Sequence, residues 1–208
     1  MRGKFITLEG LDGAGKSTQL AWIDAFLRER GIVPRVTREP GGTQVGEALR
    51  GLLLDPRQGF HPETEALLMF AARREHVDKV IEPALAQGAW VLCDRFTDAS
   101  FAYQAGGSKV EWRKIEALEA WVHGSLQPDV TLYFDVTPER ARGRTGAART
   151  ADRYEQEREE FHERTRAAYL RRAEEYSQRI KVVDANGSVR DVQLALETIL
   201  TPLCRGAQ

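Results

Sequence analysis

Cysteine and long apolar runs are scarce in this chain of 208 residues, and both absences narrow the classes of protein it can belong to. Two cysteines, Cys93 and Cys204, are too few for a disulfide framework or a zinc site. No apolar run approaches the roughly 18–20 residues that span a bilayer. The short apolar stretch near the N-terminus is too brief for the core of a signal peptide. The sequence therefore predicts a cytoplasmic protein with no membrane partner.

Net charge is also nearly absent, because 30 Lys and Arg side chains face 31 Asp and Glu side chains, for a formal net charge of −1. A protein that coats nucleic acid would be strongly basic, so we expect no nucleic-acid partner. Lysine is rare as well: the positive side chains divide into 24 arginines and 6 lysines. Codon bias and function are both open explanations for this excess of arginine.

The length and the pattern of apolar residues predict one α/β domain over residues 1–208. With 42% hydrophobic and 29% charged residues, the chain has the composition of a globular protein. Strands that alternate with helices form a parallel sheet, and such sheets bind ligands at the carboxyl ends of their strands. Short apolar runs predict buried strands at 5–8, 33–37, 90–93, 130–134 and 180–183. Helical patterns lie at 16–30, 64–86, 110–123, 155–179 and 189–203.

The segment after the first predicted strand, residues 10–18, matches the phosphate-binding pattern G-x-x-x-x-G-K-[ST]. Its glycines let successive backbone N–H groups turn toward phosphate oxygens, and the next helix adds its positive N-terminal end. Lys16 can bridge the outer phosphates, and the Ser17 hydroxyl can bind Mg²⁺. The candidate ATP-binding residues are Gly10, Leu11, Asp12, Gly13, Ala14, Gly15, Lys16, Ser17, Thr18 and, further along the chain, Arg144.

The pattern at residues 10–18 is called a P-loop. Proteins that contain a P-loop include switches, motors and kinases. A GTPase switch carries a base-reading N-K-x-D tetrapeptide, which this sequence lacks, and a large motor or helicase would need a longer chain. A small P-loop kinase is the best match. Its acceptor substrate must be inferred from the remaining segments.

Three segments carry information about that acceptor. Arg38 follows the second predicted strand and could hold a phosphate, although a plain surface turn explains its segment equally well. Phe70 shares a helix face with a nearby arginine, which suits a planar base but is also typical of a core ring beside solvated arginines. After the third strand, Asp94 can reach the shell of Mg²⁺. Arg95 beside it suits a phosphate, because a guanidinium makes bidentate contacts.

Together these motifs make the chain similar to the bacterial thymidylate (dTMP) kinases. The matching motifs are E-G-x-D-G-A-G-K-S-T at 9–18, T-R-E-P-G-G-T at 37–43, F-A-A-R at 70–73, D-R-F at 94–96, A-Y-Q at 102–104 and D-R at 152–153. The resemblance implies a P-loop-kinase fold, a three-layer sandwich whose five-stranded parallel sheet is flanked by helices. It also implies Mg-ATP as donor, Mg²⁺ as cofactor, dTMP as acceptor, and a homodimer as the usual assembly.

The resemblance also carries roles onto residues near the phosphates. It implies that Asp12 faces the sugar and phosphate of the acceptor, and that Arg38 and Arg95 hold that phosphate. Ser17 and Asp94 are the candidate metal-binding residues.

Further roles concern the base and sugar of dTMP. The resemblance implies that Phe70 stacks on thymine and that Arg73 binds thymine O4, with the adjacent Arg74 as the alternative. Tyr103 crowds the 2′ position and so favours deoxyribose. The remaining residues expected near the base edge are Ser100 and Gln104.

Residues 140–153 contain five arginines among small residues and glycines, which predicts a mobile, arginine-rich lid. In the family that this chain resembles, such a lid closes over ATP. Some members have an arginine at the position of Gly13, so the glycine here implies that the catalytic arginine comes from the lid. Arg149 is the first candidate, followed by Arg153 and Arg144. The candidate catalytic residues are therefore Asp12, Lys16, Arg95, Arg149 and Arg153.

The sequence thus predicts transfer of a phosphoryl group from ATP to dTMP on the route to dTTP, with no protein base because the acceptor is already an oxyanion. A kinase of another nucleoside monophosphate or of a deoxynucleoside, and a non-catalytic nucleotide-binding regulator, stay open as alternatives. The site arginines predict a locally cationic cleft, with the compensating acids mostly on exposed helices. The predicted helices at 64–86 and 110–123 are both apolar enough to form a dimer interface.

Overall fold

The computed structural model describes residues 2–145 and 152–205, and these contain a five-stranded sheet in the order β2-β3-β1-β4-β5. Neighbouring strands are parallel throughout this sheet. The strands are β1 (Phe5–Glu9), β2 (Arg35–Arg38), β3 (Val91–Asp94), β4 (Val130–Asp135) and β5 (Ile180–Asp184). The expected α/β fold with a parallel sheet is confirmed.

The helices of the described residues connect these strands. They are α1 (Lys16–Arg28), α2 (Gln44–Leu54), α3 (Pro62–His76), α4 (Glu82–Ala86), α5 (Thr97–Ser100), α6 (Trp112–Val122), α7 (Pro138–Thr145), α8 (Glu159–Glu175) and α9 (Val189–Cys204). A π-helical segment, Val77–Ile81, joins α3 to α4, and a second one, Phe101–Gly107, continues α5. None of the described helices combines the length and apolarity needed to cross a membrane.

Helices cover both faces of the sheet because the central strands carry apolar side chains on both sides. Alternate side chains of β1 point to opposite faces, so Ile6 packs with α1 and α9 while Phe5 packs with the segment that joins α3 to α4. On that second face, Tyr169 of α8 stacks on Tyr133 of β4 with ring centroids 4.8 Å apart. The result is the three-layer sandwich that the resemblance implied.

A buried ionic group ties α8 to the start of α5. Asp98 is buried and accepts a hydrogen bond from Arg172 at 3.0 Å and another from Arg179 at 2.6 Å. Burial alone would raise the pKa of Asp98, but the two guanidinium groups lower it below its usual value. The charge of Asp98 is therefore fully compensated inside the protein, and α8 is held against the segment that follows β3.

The parallel register brings the carboxyl ends of β1, β2 and β3 to one edge. Leu8 and Arg38 both pair with Asp94 across the sheet. The P-loop leaves this edge after β1, and residues 95–104 leave it after β3. The phosphate-binding motif and the D-R-F segment are therefore neighbours in space, as a parallel sheet requires.

Part of the predicted lid is helical. Residues 140–145 belong to α7, where Pro138 and Glu139 lie in the first turn and Arg142 and Arg144 in the last. This distribution complements the helix dipole and explains why the segment folds as a helix rather than a loop. The segment predicted as a lid therefore begins within α7. The first candidate for the catalytic arginine, Arg149, lies outside the described residues.

Candidate active site

The P-loop curls between β1 and α1 with backbone conformations that require glycine. Gly13 has φ +82°, and a Cβ built on it would lie 2.2 Å from the carbonyl oxygen of Ala141 in α7. Gly10 has φ +139°, and its Cβ would lie 2.7 Å from the carbonyl oxygen of Phe134. No side chain, and so no arginine, fits at position 13 in this conformation.

Lys16 folds back over the loop instead of pointing to solvent. Its Nζ donates to the carbonyl oxygens of Gly10 and Leu11, both at 3.1 Å, and lies 3.8 Å from Asp12 Oδ1. Burial, followed by the charge of Arg95, lowers the pKa of Lys16. The ammonium group is thus held at the mouth of the loop, where the N-terminus of α1 also favours an anion.

Arg95 lies opposite the P-loop, and four hydrogen bonds hold its guanidinium group. Its Nη2 donates to Asp12 Oδ1 at 2.8 Å and to the Tyr103 hydroxyl at 3.0 Å. Its Nη1 donates to the carbonyl oxygen of Gly10 at 2.9 Å and to the Tyr169 hydroxyl at 3.2 Å. The backbone of Arg95 is left-handed, with φ +70°. Such a backbone is uncommon for a residue with a side chain and points to a functional position.

Glu9 supports both the backbone and the side chain of this arginine. Its Oε1 accepts a hydrogen bond from the backbone N–H of Phe96 at 2.7 Å, next to the left-handed residue. Its Oε2 accepts one from the Tyr169 hydroxyl at 2.8 Å. Burial and the nearby charge of Asp98 raise the pKa of Glu9 to about 8. Sequence reasoning missed Glu9 as a site residue, although it opens the motif that follows β1.

Two cavities meet in front of Arg95. The P-loop cavity is lined by residues 12–19 together with Arg38, Glu39, Arg50, Leu54, Asp94, Arg95, Arg144, Asp152, Glu155, Ala185, Gly187, Val189 and Val192. The Arg73 cavity is lined by Asp12, Glu39, Pro40, Arg50, Leu54, Met69, Arg73, Arg95, Phe96, Ala99, Ser100, Tyr103, Gln104, Asp152 and Tyr154. Asp12, Arg50 and Arg95 line both, so the two cavities share a charged border.

Arg73 is the arginine that faces its cavity, whereas Arg74 turns to the surface and contacts Asp78. Arg73 Nε donates to Glu39 Oε2 at 2.7 Å, and Nη2 donates to the carbonyl oxygen of Phe96 at 3.1 Å. Its Nη1 is buried and has no hydrogen-bond partner among the described residues. That atom is a ready donor for a carbonyl oxygen of a ligand in the cavity.

Phe70 does not lie where the sequence placed it. The ring is buried in an apolar cluster with Phe101, Val110 and Ile115, and it is not part of the lining of the Arg73 cavity. Met69, one residue earlier on α3, lines the cavity instead. The expectation that Phe70 stacks on a ligand base is therefore corrected. The Phe70 ring packs between α3 and α6, and the Met69 side chain lines the cavity.

Two further arginines depart from expectation. Arg38 lines only the P-loop cavity and forms an ion pair with Glu47 at 2.7 Å, so the structure does not place it in the Arg73 cavity. Arg50, which sequence reasoning missed, lines both cavities and donates to the carbonyl oxygen of Pro40 at 2.9 Å. Arg50 lies on α2, which Thr43 caps by accepting a hydrogen bond from the N–H of Gly46. A threonine at this position is typical of a helix start and could have predicted α2 from the sequence.

The arginines near the predicted lid lie in different places relative to the cavities. Arg144 lines the P-loop cavity and donates to the carbonyl oxygen of Ala185 at 2.9 Å. Arg153 lines neither cavity: it forms an ion pair with the buried carboxylate of Glu65 and donates to the carbonyl oxygen of Leu53. A buried carboxylate requires a cation, which explains this position. The structure therefore does not bring Arg153 to the reacting groups.

The other expected residues meet at the site. Ser100, Tyr103 and Gln104 line the Arg73 cavity, and Ser17 and Asp94 line the P-loop cavity. The Oδ1 atom of Asp94 is buried and has no hydrogen-bond partner among the described residues. An unpartnered carboxylate oxygen beside a phosphate-binding loop is suited to a divalent cation.

A P-loop and an adjoining cavity, joined by a fixed arginine, define a kinase of small nucleotides. Comparison with known proteins narrows this class. The thymidylate kinase family model matches residues 8–196, and the chain belongs to this family. It is 62% identical over 197 residues to the thymidylate kinase of Nitrosospira multiformis, covering 95% of this chain and 96% of that protein. It is 56% identical over 205 residues to that of Cupriavidus pinatubonensis, covering 98% and 100%.

A solved structure is similar over the same length. The crystal structure of thymidylate kinase from Ehrlichia chaffeensis matches with a TM-score of 0.80 and 33% identity, covering 97% of this chain and 99% of that one. The sequence-based expectation of a thymidylate-kinase-like transferase with a P-loop-kinase fold is confirmed.

Proposed function

We propose that this protein transfers the γ-phosphoryl group of ATP to dTMP, which yields ADP and dTDP, the precursor of the dTTP used in DNA synthesis. The observation that carries the proposal is the border between the two cavities, where Asp12 and Arg95 face both. A nucleotide at the P-loop and a nucleoside monophosphate in the Arg73 cavity would meet at this border. Membership of the thymidylate kinase family supports both the reaction and the acceptor.

On the donor side, Lys16 and the backbone of the P-loop bind the phosphates of ATP. Mg²⁺ is the metal that we infer, because the buried, unpartnered oxygen of Asp94 and the hydroxyl of Ser17 lie in the same cavity. These two residues would hold the ion together with phosphate oxygens, as is usual for Mg²⁺. When bound, the ion neutralises charge on the β- and γ-phosphates.

On the acceptor side, Arg95 holds the phosphate of dTMP, assisted by Arg50 at the border between the cavities and by Arg38 from the P-loop cavity. Tyr103 contacts the sugar, and Arg73 donates to O4 of thymine through its unpartnered Nη1. Met69 packs against the thymine ring. Because the acceptor already presents an oxyanion, the protein supplies position and positive charge rather than a general base.

Asp12 keeps Arg95 in place before the substrate arrives. Its Oδ1 accepts from Arg95, and its Oδ2 lies 3.4 Å from the Tyr103 hydroxyl that donates to it. Groups that are oriented in advance need not reorganise during the reaction, which lowers the barrier.

We infer that a lid arginine supplies the remaining positive charge over the transferred phosphoryl group, since no side chain fits at Gly13. Arg149 is the first candidate, and Arg144 binds ATP from α7. Replacement of Arg149 by alanine is expected to lower kcat far more than it weakens dTMP binding, which steady-state kinetics and calorimetry with dTMP would separate. The reverse pattern would assign the arginine to acceptor binding.

A homodimer is the assembly that we propose for this enzyme, which acts in the cytoplasm. The supporting feature is an apolar groove between α3 and α6, where Leu67 is 54% exposed and Trp121 is 81% exposed. A second copy of the same groove would cover both side chains. Light scattering should give the mass of a dimer for the wild-type protein and that of a monomer for Trp121→Glu; a monomeric wild-type protein would contradict the proposal.

A coupled assay of ADP release tests the proposed reaction. The protein is incubated with Mg-ATP and dTMP, dUMP, dCMP, dAMP or dGMP, with ATP alone as background. Turnover is expected to be fastest with dTMP. If dTMP gives no ADP above the background, the proposed function is wrong, and faster turnover with another monophosphate would identify the true acceptor.

A further inference from the structure

Glu65 is a buried carboxylate beside the site that the proposed reaction does not yet use. It lies on α3, is 2% exposed, and points toward the end of the Arg73 cavity where Gln104 stands. Its Oε1 accepts a hydrogen bond from Gln104 Nε2 at 2.7 Å, and its Oε2 forms the ion pair with Arg153. Arg153 supplies the positive partner that a buried carboxylate requires.

A carboxylate can only accept hydrogen bonds, so the amide of Gln104 has one possible orientation. Its NH₂ group must face Glu65, where it also lies 3.4 Å from the Tyr154 hydroxyl. Both hydrogen bonds of this amide within the described residues are made by the nitrogen. The oxygen of Gln104 is therefore the atom presented to the cavity that Gln104 lines.

The cavity thus offers a donor and an acceptor in fixed positions: Arg73 Nη1, which is buried without a partner among the described residues, and Gln104 Oε1. Thymine and uracil present the complementary pair, a carbonyl oxygen at O4 and an N–H at N3. Cytosine presents the reverse, an amino group at C4 and a lone pair at N3. The pattern accepts the first two bases and leaves unpaired or opposed groups against the third.

We propose that Glu65 is a positioning residue that sets the base specificity of this site by fixing the amide of Gln104. The proposal rests on the proposed function, because it names how the same acceptor cavity selects its base. Glu65 itself does not touch the substrate; it acts through Gln104. Without its charge, the amide of Gln104 is free to turn its NH₂ group to the cavity, which suits N3 of cytosine.

The test compares kcat/KM for dTMP and dCMP in the wild-type protein, in Glu65→Gln and in Glu75→Gln. Glu75 lies on the same helix, is partly exposed and pairs with Lys79, so it is a matched control for the same chemical change. Glu65→Gln is expected to lower the dTMP-to-dCMP ratio by about tenfold or more, with KM for ATP unchanged. Glu75→Gln should keep the wild-type ratio.

A purely structural role for Glu65 would lower activity with both substrates and leave the ratio unchanged, which would overturn the proposal. The double variant Glu65→Gln with Gln104→Glu exchanges the two side chains. The amide at position 65 can donate to the carboxylate at position 104 and accept from Arg153. The carboxylate at position 104 then presents an oxygen, which is an acceptor, to the base. This double variant is expected to recover much of the dTMP preference, and failure to exceed the single variant would count against the proposal.

A third arm uses the wild-type protein alone and so does not depend on the folding of a variant. N3-methyl-dTMP lacks the N–H that Gln104 is proposed to accept, so it should bind at least about tenfold more weakly than dTMP in calorimetry. Equal binding would overturn the proposal. Absence of dTMP turnover in the wild-type protein would instead overturn the proposed function, which separates the two failures.

Discussion

The raised pKa of the buried Glu9 carboxyl provides the most quantitative test of this site. Burial, and then the charge of Asp98, raise the pKa of Glu9 from 4.5 to about 8, against the opposing effect of Arg95. The folded protein therefore holds this proton where the unfolded chain releases it. As the pH rises through this interval, the unfolded chain binds fewer protons than the folded one, so the free energy of unfolding falls. The loss is ~1.4 kcal/mol per pH unit and ~5 kcal/mol over the whole interval.

The replacement Glu9→Gln isolates this contribution. A glutamine resembles the protonated carboxyl, and its oxygen can accept from the N–H of Phe96. The Tyr169 hydroxyl, which donates to the charged carboxylate, can rotate so that its oxygen accepts from the glutamine NH₂. It does not titrate, and other groups cancel in the difference between the two proteins. The variant should therefore gain stability relative to the wild type as the pH rises, and the difference should level off above about pH 8.

Urea unfolding of both proteins between pH 5 and pH 9 measures this difference, using about nine closely spaced pH values. Glu174→Gln, at an exposed position of α8, serves as the control. Its free energy of unfolding should differ from that of the wild type by the same amount at every pH. A flat difference for Glu9→Gln over the same range would refute the reasoning, because it would show that the folded protein does not hold the proton.

Three shorter predictions concern other parts of the molecule. Asp98→Asn removes the buried charge that two arginines share and should lower the free energy of unfolding by about 3 kcal/mol in urea titrations; an equal loss from the partly exposed Asp24→Asn would contradict this. Gly13→Ala introduces a Cβ 2.2 Å from a carbonyl oxygen of α7 and should raise KM for ATP severalfold, whereas Gly143→Ala, which faces open space, should not. Tyr103→Phe should keep the preference for deoxyribose over ribose in competition assays and Tyr103→Ala should relax it, so an unchanged preference in Tyr103→Ala would remove crowding by this ring as the cause.

The parts of the site that follow strand ends could be predicted from the sequence. Asp94 comes directly after an apolar run, and Lys16 ends the glycine-rich loop that follows another. A parallel sheet brings the ends of such runs to one edge. Their placement could therefore be predicted from two features, the positions of the strands and the P-loop motif that follows the first strand. Both residues line the P-loop cavity, at the predicted edge.

Residues that depend on the exact rotation of a helix could not be predicted in the same way. Phe70 and Met69 lie three and four positions before Arg73, and both spacings place side chains on neighbouring parts of one face. The packing of α3 against α6 decides between them, since the Phe70 ring fills the space beside Ile115. That contact joins residues distant in sequence, so no local pattern contains it. Arg50 was missed for a related reason, because the helix that carries it was not predicted.

The near-zero net charge gains a different meaning from the structure. The sequence suggested a cationic cleft whose compensating acids lie on exposed helices. Instead, two arginines of the site are paired with acids there, as Arg73–Glu39 and Arg95–Asp12. Outside the two cavities, Arg153 is paired with Glu65 in the same way. A guanidinium can be buried only with such a partner, because an unpaired charge in the interior loses its hydration. The balance of charge is therefore local: the acid that holds each arginine also orients it, and an arriving phosphate must share Arg95 with Asp12 rather than find it free.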